Sequence, residues 1–394
     1  MKLLVLAYGK VVLENETVQS TYIYIEDEKI IHIGPLETAS VLYPTLSPIV
    51  IPAEQTVVPG FIDIHIHGAG GADTMDANLQ ALETMAIVLP AEGTTSFLAT
   101  TMTQSKEKIE HALVNTADYA EHHNMPGKAE MLGVHLEGPF INEERAGAQP
   151  KGHILDPDIE LFKRWQQLSN GGIKLVTVAP EKEHGMSLIR YFRQNGVIAS
   201  IGHSNAVYDE VKAAVEAGAT QVTHLFNGMR GMHHREPGVA GAALLFKELM
   251  VELIADGIHI NPEMLKLSLN AKGTDGMLLI TDSMRAKCLK NGLYDLSGQE
   301  VTVADGKALL ADGTLAGSIL KMNDAIKNMV EFSDRSLREV VKMASENPAK
   351  QLQIFDRKGS IAVNKDADFT VLDENFQVVM TFCRGQLAYR RGDN

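Results

Sequence analysis

His65 and His67 stand two residues apart in the run Val58-Pro59-Gly60-Phe61-Ile62-Asp63-Ile64-His65-Ile66-His67-Gly68. Side chains two apart on a β-strand share a face, so the two imidazoles converge while Ile64 and Ile66 face the other way. A Gly-rich stretch follows, and the pair reads as metal ligands at a strand end. Glu137 closes a second apolar run, Leu132-Gly133-Val134-His135-Leu136-Glu137, immediately before Gly138-Pro139. A carboxylate in that position must be paired or coordinate a cation. His135 shares its face one step deeper and reads as a hydrogen-bonded core histidine. His203 and His224 each end a further apolar run, and Asp282 ends the last one. Each alone suits a structural role. Together they place His and carboxylate side chains repeatedly at strand ends, a set of candidate metal ligands that coincidence explains poorly.

Such a set needs a scaffold that brings many strand ends together. Apolar runs of strand length fall at 61–67, 95–101, 131–137, 173–179, 197–202, 219–224, 250–255 and 277–281, and helical periodicity separates most of them, as at 105–122, 158–169 and 208–217. Eight strands alternating with helices predict an α/β fold, a parallel (β/α)8 TIM barrel with its chemistry at the C-terminal face. An open doubly wound sheet has the same local pattern but fits the count less well. Neither G-x-G-x-x-G nor G-x-x-x-x-G-K-[ST] follows the first strand, which argues against dinucleotide and nucleoside-triphosphate binding. The opening residues read as a hairpin, 21–25 and 30–33 around the charged turn 26–29, and 368–372 and 377–382 repeat that character at the other end. Both termini are expected to build one small β-sandwich-like domain, from 1–55 and 351–394, around a catalytic barrel at 56–350.

The composition bounds the partners. The chain has 394 residues, 45% hydrophobic and 22% charged, ordinary values for a folded globular protein. Its 50 acidic residues outnumber 36 basic ones for a formal charge of −14, a field opposed to nucleic acid, so no nucleic-acid partner is expected. Cys288 and Cys383 are the only cysteines, too few for a thiolate cluster or a disulfide framework, and consistent with a reducing compartment. Any metal must therefore sit on His and carboxylate. The first residues lack a secretory pattern and no stretch reaches the roughly 18 apolar residues of a membrane span, so a cytoplasmic protein without membrane association is expected.

With these motifs in order, the sequence resembles the amidohydrolase superfamily and, within it, the family of N-acetylglucosamine-6-phosphate deacetylases. The resemblance rests on P-G-F-I-D-I-H-I-H-G at 59–68, H-L-E-G-P-F at 135–140, G-H-S at 202–204, T-H-L-F-N-G-M at 223–229, R-E-P-G at 235–238, D-G-I-H at 256–259, T-D at 281–282 and L-A-G-S at 315–318. It implies hydrolysis of the acetamide of N-acetyl-D-glucosamine 6-phosphate, by a homodimer acting in amino-sugar catabolism. Glu137, His203 and His224 are then one metal site, with His65 and His67 holding a second, Glu137 bridging and Asp282 nearby as catalytic acid–base. Two divalent ions per chain are implied, zinc or iron first, manganese or cobalt as alternatives. Lys174, the strand lysine that could be carboxylated as a bridge, lies at the wrong end of its strand. His153 is implied to hold the substrate carbonyl or a sugar hydroxyl. Asn227, Gly228, Arg235 and His259 are implied to bind the phosphate, Arg235 through a bidentate fork, and Leu315, Ala316, Gly317 and Ser318 to lie against the sugar. The rivals are another enzyme of the superfamily, dihydroorotase-like or a nucleobase aminohydrolase, and a non-catalytic barrel scaffold.

Overall fold

The computed structural model describes residues 1–393. Eight parallel strands, Phe61–Ile66, Thr94–Thr100, Glu130–Glu137, Ile173–Val178, Ile198–Ile201, Gln221–Val222, Met250–Ile254 and Met277–Ile280, pair in sequence order. Each is followed by a helix: Leu79–Val88, Lys106–His122, Ile159–Leu168, Gly185–Gln194, Tyr208–Ala217, Gly238–Leu245, Pro262–Lys272 and Met322–Phe332. The strands read as near-continuous apolar runs because a parallel barrel buries both of their faces. Their outer faces and the inner stripes of the helices form the main core, with Phe162, Trp165, Leu188, Phe192 and Met329 fully or almost fully buried. This is the (β/α)8 architecture that the alternation predicts.

The first and eighth strands meet without a regular ladder. One parallel bridge pairs Ile66 with Ser283, and the Asp282 amide donates to the His65 carbonyl at 2.8 Å. Below them Asp63 accepts from the Thr281 hydroxyl at 2.5 Å, and buried Lys287 reaches Glu92 at 2.6 Å. Polar side chains complete the closure that backbone pairing leaves unfinished, which places His65, His67 and Asp282 side by side.

Both termini share one eight-stranded sheet, containing Lys2–Val12, Thr17–Glu26, Lys29–Pro35, Ile49–Ile51, Thr56–Pro59, Phe369–Leu372, Val378–Cys383 and Gln386–Arg390. The hairpin turns between Glu26 and Lys29, as its charged tetrapeptide predicts. Thr56–Pro59 lies on the barrel side of the expected division, yet it pairs with Phe369–Leu372 in this sheet, Thr370 opposite Val58. Only Gly60 separates that strand from the barrel.

One element is absent from the sequence reading. Gly292–Leu296, Gln299–Ala304 and Lys307–Leu309 form a small antiparallel sheet between the eighth strand and its helix. Its turns at Ser297-Gly298 and Asp305-Gly306 have positive φ at all four residues, the dipeptide signal of tight hairpins. The sheet packs Leu296, Val301 and Val303 onto Met102, Met284 and Ala316, over one side of the barrel mouth.

Candidate active site

Strand ends at the C-terminal mouth deliver the residues. His65 comes from the first strand, with His67 just beyond it, and Glu137 ends the third. His203, His224 and Asp282 follow the fifth, sixth and eighth, and all three are left-handed, with φ of 46°, 29° and 48°. Non-glycine residues hold such angles at a cost of about 1–3 kcal/mol, and they persist where the surroundings over-determine them. The fixings are visible: the Asn142 amide donates to the His203 carbonyl at 2.8 Å, the His224 amide to Glu252 at 3.1 Å and the Ser318 amide to the Asp282 carbonyl at 2.7 Å. Gly202 is needed beside His203, because a Cβ there would lie 2.6 Å from the Thr223 Cβ.

Glu137 lies at the centre. Its Oε1 is 3.3 Å from His65 Nε2, 3.3 Å from His203 Nε2 and 3.1 Å from His224 Nε2, while Oε2 is 3.2 Å from His67 Nε2. Asp282 Oδ1 stands 3.5 Å from His65 Nε2 and 3.3 Å from His67 Nε2. The donors fall into two adjacent groups, Glu137 with His203 and His224, and His65 with His67 and Asp282. These spacings fit a cation: four ligands at 2.0–2.1 Å around a tetrahedral ion are separated by about 3.3 Å. His65 Nε2 is buried without a hydrogen-bond partner, as a metal-directed lone pair would be.

Burial and the opposite charges of its neighbours set the protonation of each group in the cluster. Burial opposes charge on His67, yet Asp282 and Glu137 lift its pKa to about 9. Burial likewise opposes charge on His65 and His224, and the carboxylates raise both above the ordinary imidazole value. Burial opposes ionisation of Glu137 and Asp282, but the surrounding imidazoles hold both below the usual carboxylate range. His135, buried beside His65, is pushed well down, and its Nε2 bonds the Thr177 hydroxyl at 2.7 Å, the core role its depth predicts. A cavity of about 200 Å3 opens above the cluster, and among the described residues no Lys or Arg lines it. Positive charge at its floor must come from bound ions or from the imidazoles.

The other expected residues divide. Asn227, Gly228, His259, Leu315 and Gly317 line the same cavity as His67, Glu137, His203, His224 and Asp282. His259 is held by Asp256 at 2.6 Å. Ala316 and Ser318 depart from the expected sugar contact. Ala316 is packed beneath the small sheet, and Ser318 donates to the Thr281 carbonyl at 2.5 Å, bracing the Asp282 turn. Neither reaches the cavity, because alternate residues of an extended segment face opposite ways. His153 sits in the turn Lys151–His153 outside the cavity lining. Arg235 also lies outside it, on an exposed loop, with Nη1 2.8 Å from its neighbour His234. Lys174 is exposed and donates to the Gly171 carbonyl, far from any bridging position.

Two residues escaped the sequence reading. Gln149 lines the cavity, donates to Glu137 Oε2 at 2.6 Å and accepts from the Thr103 amide at 2.8 Å. No periodic signal marks it, since it reaches the site by a loop folding back over the third strand. Glu252 lies within the seventh strand beneath the site, 2.9 Å from His65 Nδ1. A lone carboxylate in the apolar run 250–255 was the available signal.

Residues 56–388 match the model of the Amidohydrolase family, and the chain belongs to that family. It is 50% identical over 381 residues to an N-acetylglucosamine-6-phosphate deacetylase of Bacillus subtilis (strain 168), covering 96% of this chain and 95% of that one. A structure of the corresponding deacetylase from Mycobacterium smegmatis, a substituted variant in complex with N-acetyl-D-glucosamine-6-phosphate, superposes with a TM-score of 0.91 at 29% identity, covering 98% and 99% of the two chains. The Thermotoga maritima enzyme of the same name superposes at 0.86 with 35% identity, over 99% and 100%. No helix among the described residues is long and apolar enough to cross a membrane.

Proposed function

We infer that the chain hydrolyses the acetamide of N-acetyl-D-glucosamine 6-phosphate to D-glucosamine 6-phosphate and acetate. The observation that carries this reading is one cavity with a carboxylate among four imidazoles at its floor and polar Asn227, Gly228 and His259 on its wall. Glu137, His203 and His224 would hold one divalent ion, and His65, His67 and Asp282, beside Glu137, would hold a second. Zinc or iron suits this donor set best, manganese or cobalt next. Bound there, such ions lower the pKa of water and polarise the carbonyl.

Asp282 takes the proton of the attacking water as its oxygen bonds to the acetyl carbon. It returns that proton to the sugar nitrogen as the C–N bond breaks, leaving acetate and the free amine. Gln149 keeps Glu137 Oε2 oriented during these steps. Asn227 and the Gly228 amide face the phosphate with His259, and Leu315 and Gly317 pack against the sugar. The protein acts in the cytoplasm as a homodimer. Arg235 contributes to phosphate recognition only if its loop moves or a second copy presents it, because it does not line the cavity of its own chain.

Acetate release from N-acetylglucosamine with and without the 6-phosphate tests the reading, and indifference to the phosphate overturns the substrate. Arg235→Ala tests whether that loop reaches the phosphate: a loss of about 10- to 100-fold in kcat/KM confined to the phosphorylated sugar places it there. Equal losses on both sugars remove Arg235 from phosphate recognition.

A further inference from the structure

Glu252 occupies the middle of the seventh strand, Met250–Ile254, with its side chain fully buried and outside the cavity lining. An isolated buried carboxylate is strongly disfavoured unless its oxygens are satisfied. Here they are: Oε2 faces His65 Nδ1 at 2.9 Å and accepts from the His224 amide at 3.1 Å, and Oε1 accepts from Gln221 Nε2 at 2.6 Å. One oxygen therefore touches two of the residues that Glu137 draws together. We propose that Glu252 is a positioning residue that fixes the ring of His65 and the backbone of His224 for the ion-binding centre. The inference rests on the metal reading given above.

A carboxylate can only accept, so His65 donates from Nδ1 and keeps its lone pair on Nε2. Nε2 is the atom that faces Glu137 Oε1 and Asp282 Oδ1. The carboxylate thus selects the tautomer and aims the ring, as outer partners of metal-bound histidines do. His135 stands edge-on to the same ring at 4.5 Å and 82°, which blocks rotation away from Glu252. At His224 the carboxylate holds the amide of a residue whose φ is 29°, an angle the strand would not otherwise keep. His65, His135 and Glu252 also form a compact donor group that could be taken for a third ion site. The 2.9 Å contact is a hydrogen bond, shorter than the roughly 3.3 Å edge expected between ligands of one tetrahedral ion.

The test strips the full-length protein of metal and titrates it with zinc against a competing chelator, in parent, Glu252→Gln and Glu252→Asp forms. Parent protein is expected to take two ions. Glu252→Gln should weaken one of them about 10- to 100-fold, with Glu252→Asp between. Because Glu252→Gln could fail to fold, imidazole nitrogen NMR of the unaltered zinc-loaded protein gives a second reading: His65 should be protonated at Nδ1 and not at Nε2. A parent that binds two ions with Glu252→Gln titrating identically overturns this inference and leaves the metal reading intact, as does a His65 protonated at Nε2. A parent that binds no ion overturns both.

Discussion

Glu130 and Glu137 begin and end the same barrel strand, and both are buried carboxylates, but their surroundings differ in kind. At the N-terminal end Glu130 accepts both Arg357 Nη1 and Nη2 at 3.0 Å and meets Lys358 at 2.7 Å. Lys358 also binds Asp368, Arg357 also binds Asp366 at 2.7 Å, and Lys29 reaches Asp366 at 2.6 Å. Anions and cations alternate there, and together they tie the barrel floor to the segment entering the terminal sheet. At the other end Glu137 meets four imidazoles and an amide, with no Lys or Arg beside it among the described residues. A structural carboxylate carries its countercharge in the chain. Glu137 is surrounded instead by imidazoles, groups that can turn a lone pair toward an ion, as the proposed function requires.

The contrast can be broken first at Glu137. Glu137→Gln should lose more than about 100-fold in metal affinity, beyond the range for an outer partner, and acetate release should fall to that of the chelated parent. Chelation of the parent should abolish activity reversibly, and metal analysis with an acetate assay checks both. A fully active metal-free protein overturns the metal reading. Asp282→Asn follows, with kcat expected to fall about 10²- to 10⁴-fold or more, since an amide cannot accept the proton. Turnover within a few-fold of the parent would move the base elsewhere.

The structural end should respond in stability instead. Burial opposes the charge of Glu130, but Lys358 and Arg357 outweigh it and bring the pKa to about 2, against 4.5 ordinarily. A folded pKa below the unfolded one means that the contribution is fully present above about pH 4.5 and is lost as pH falls toward 2. It amounts to about 3 kcal/mol. Glu130→Gln should therefore lower the denaturation midpoint at pH 7, with the gap to the parent closing below pH 4.5, while the metal content of the folded protein stays at the parental value. Lys29→Ala tests the rim of the same cluster, where the lysine is 43% exposed, and is expected to cost no more than about 1 kcal/mol. A larger loss would show that the exposed pair is integral to the junction.

Local patterns already carried much of this protein. Apolar runs alternating with helical periodicity marked eight barrel strands, because burial on both faces imposes a continuous apolar signature on each parallel strand. The two-residue spacing of His65 and His67 put both imidazoles on one face by strand geometry alone, and the strand-end positions of Glu137, His203, His224 and Asp282 placed them at one mouth once the strands were ordered. The 292–309 sheet was within reach of the same reasoning, since its Ser-Gly and Asp-Gly turns are local signals. Other features had no local signature. Gln149 enters by a loop whose path depends on the third strand and its neighbours, and Glu252 meets His65 across 187 residues of sequence. The exclusion of Arg235, Ala316, Ser318 and His153 from the cavity likewise depends on where segments land. Periodicity follows from which face of one element is buried, and a sequence records that directly. Contacts between distant elements depend on how the barrel closes, and only the closed barrel decides which polar side chains share an oxygen.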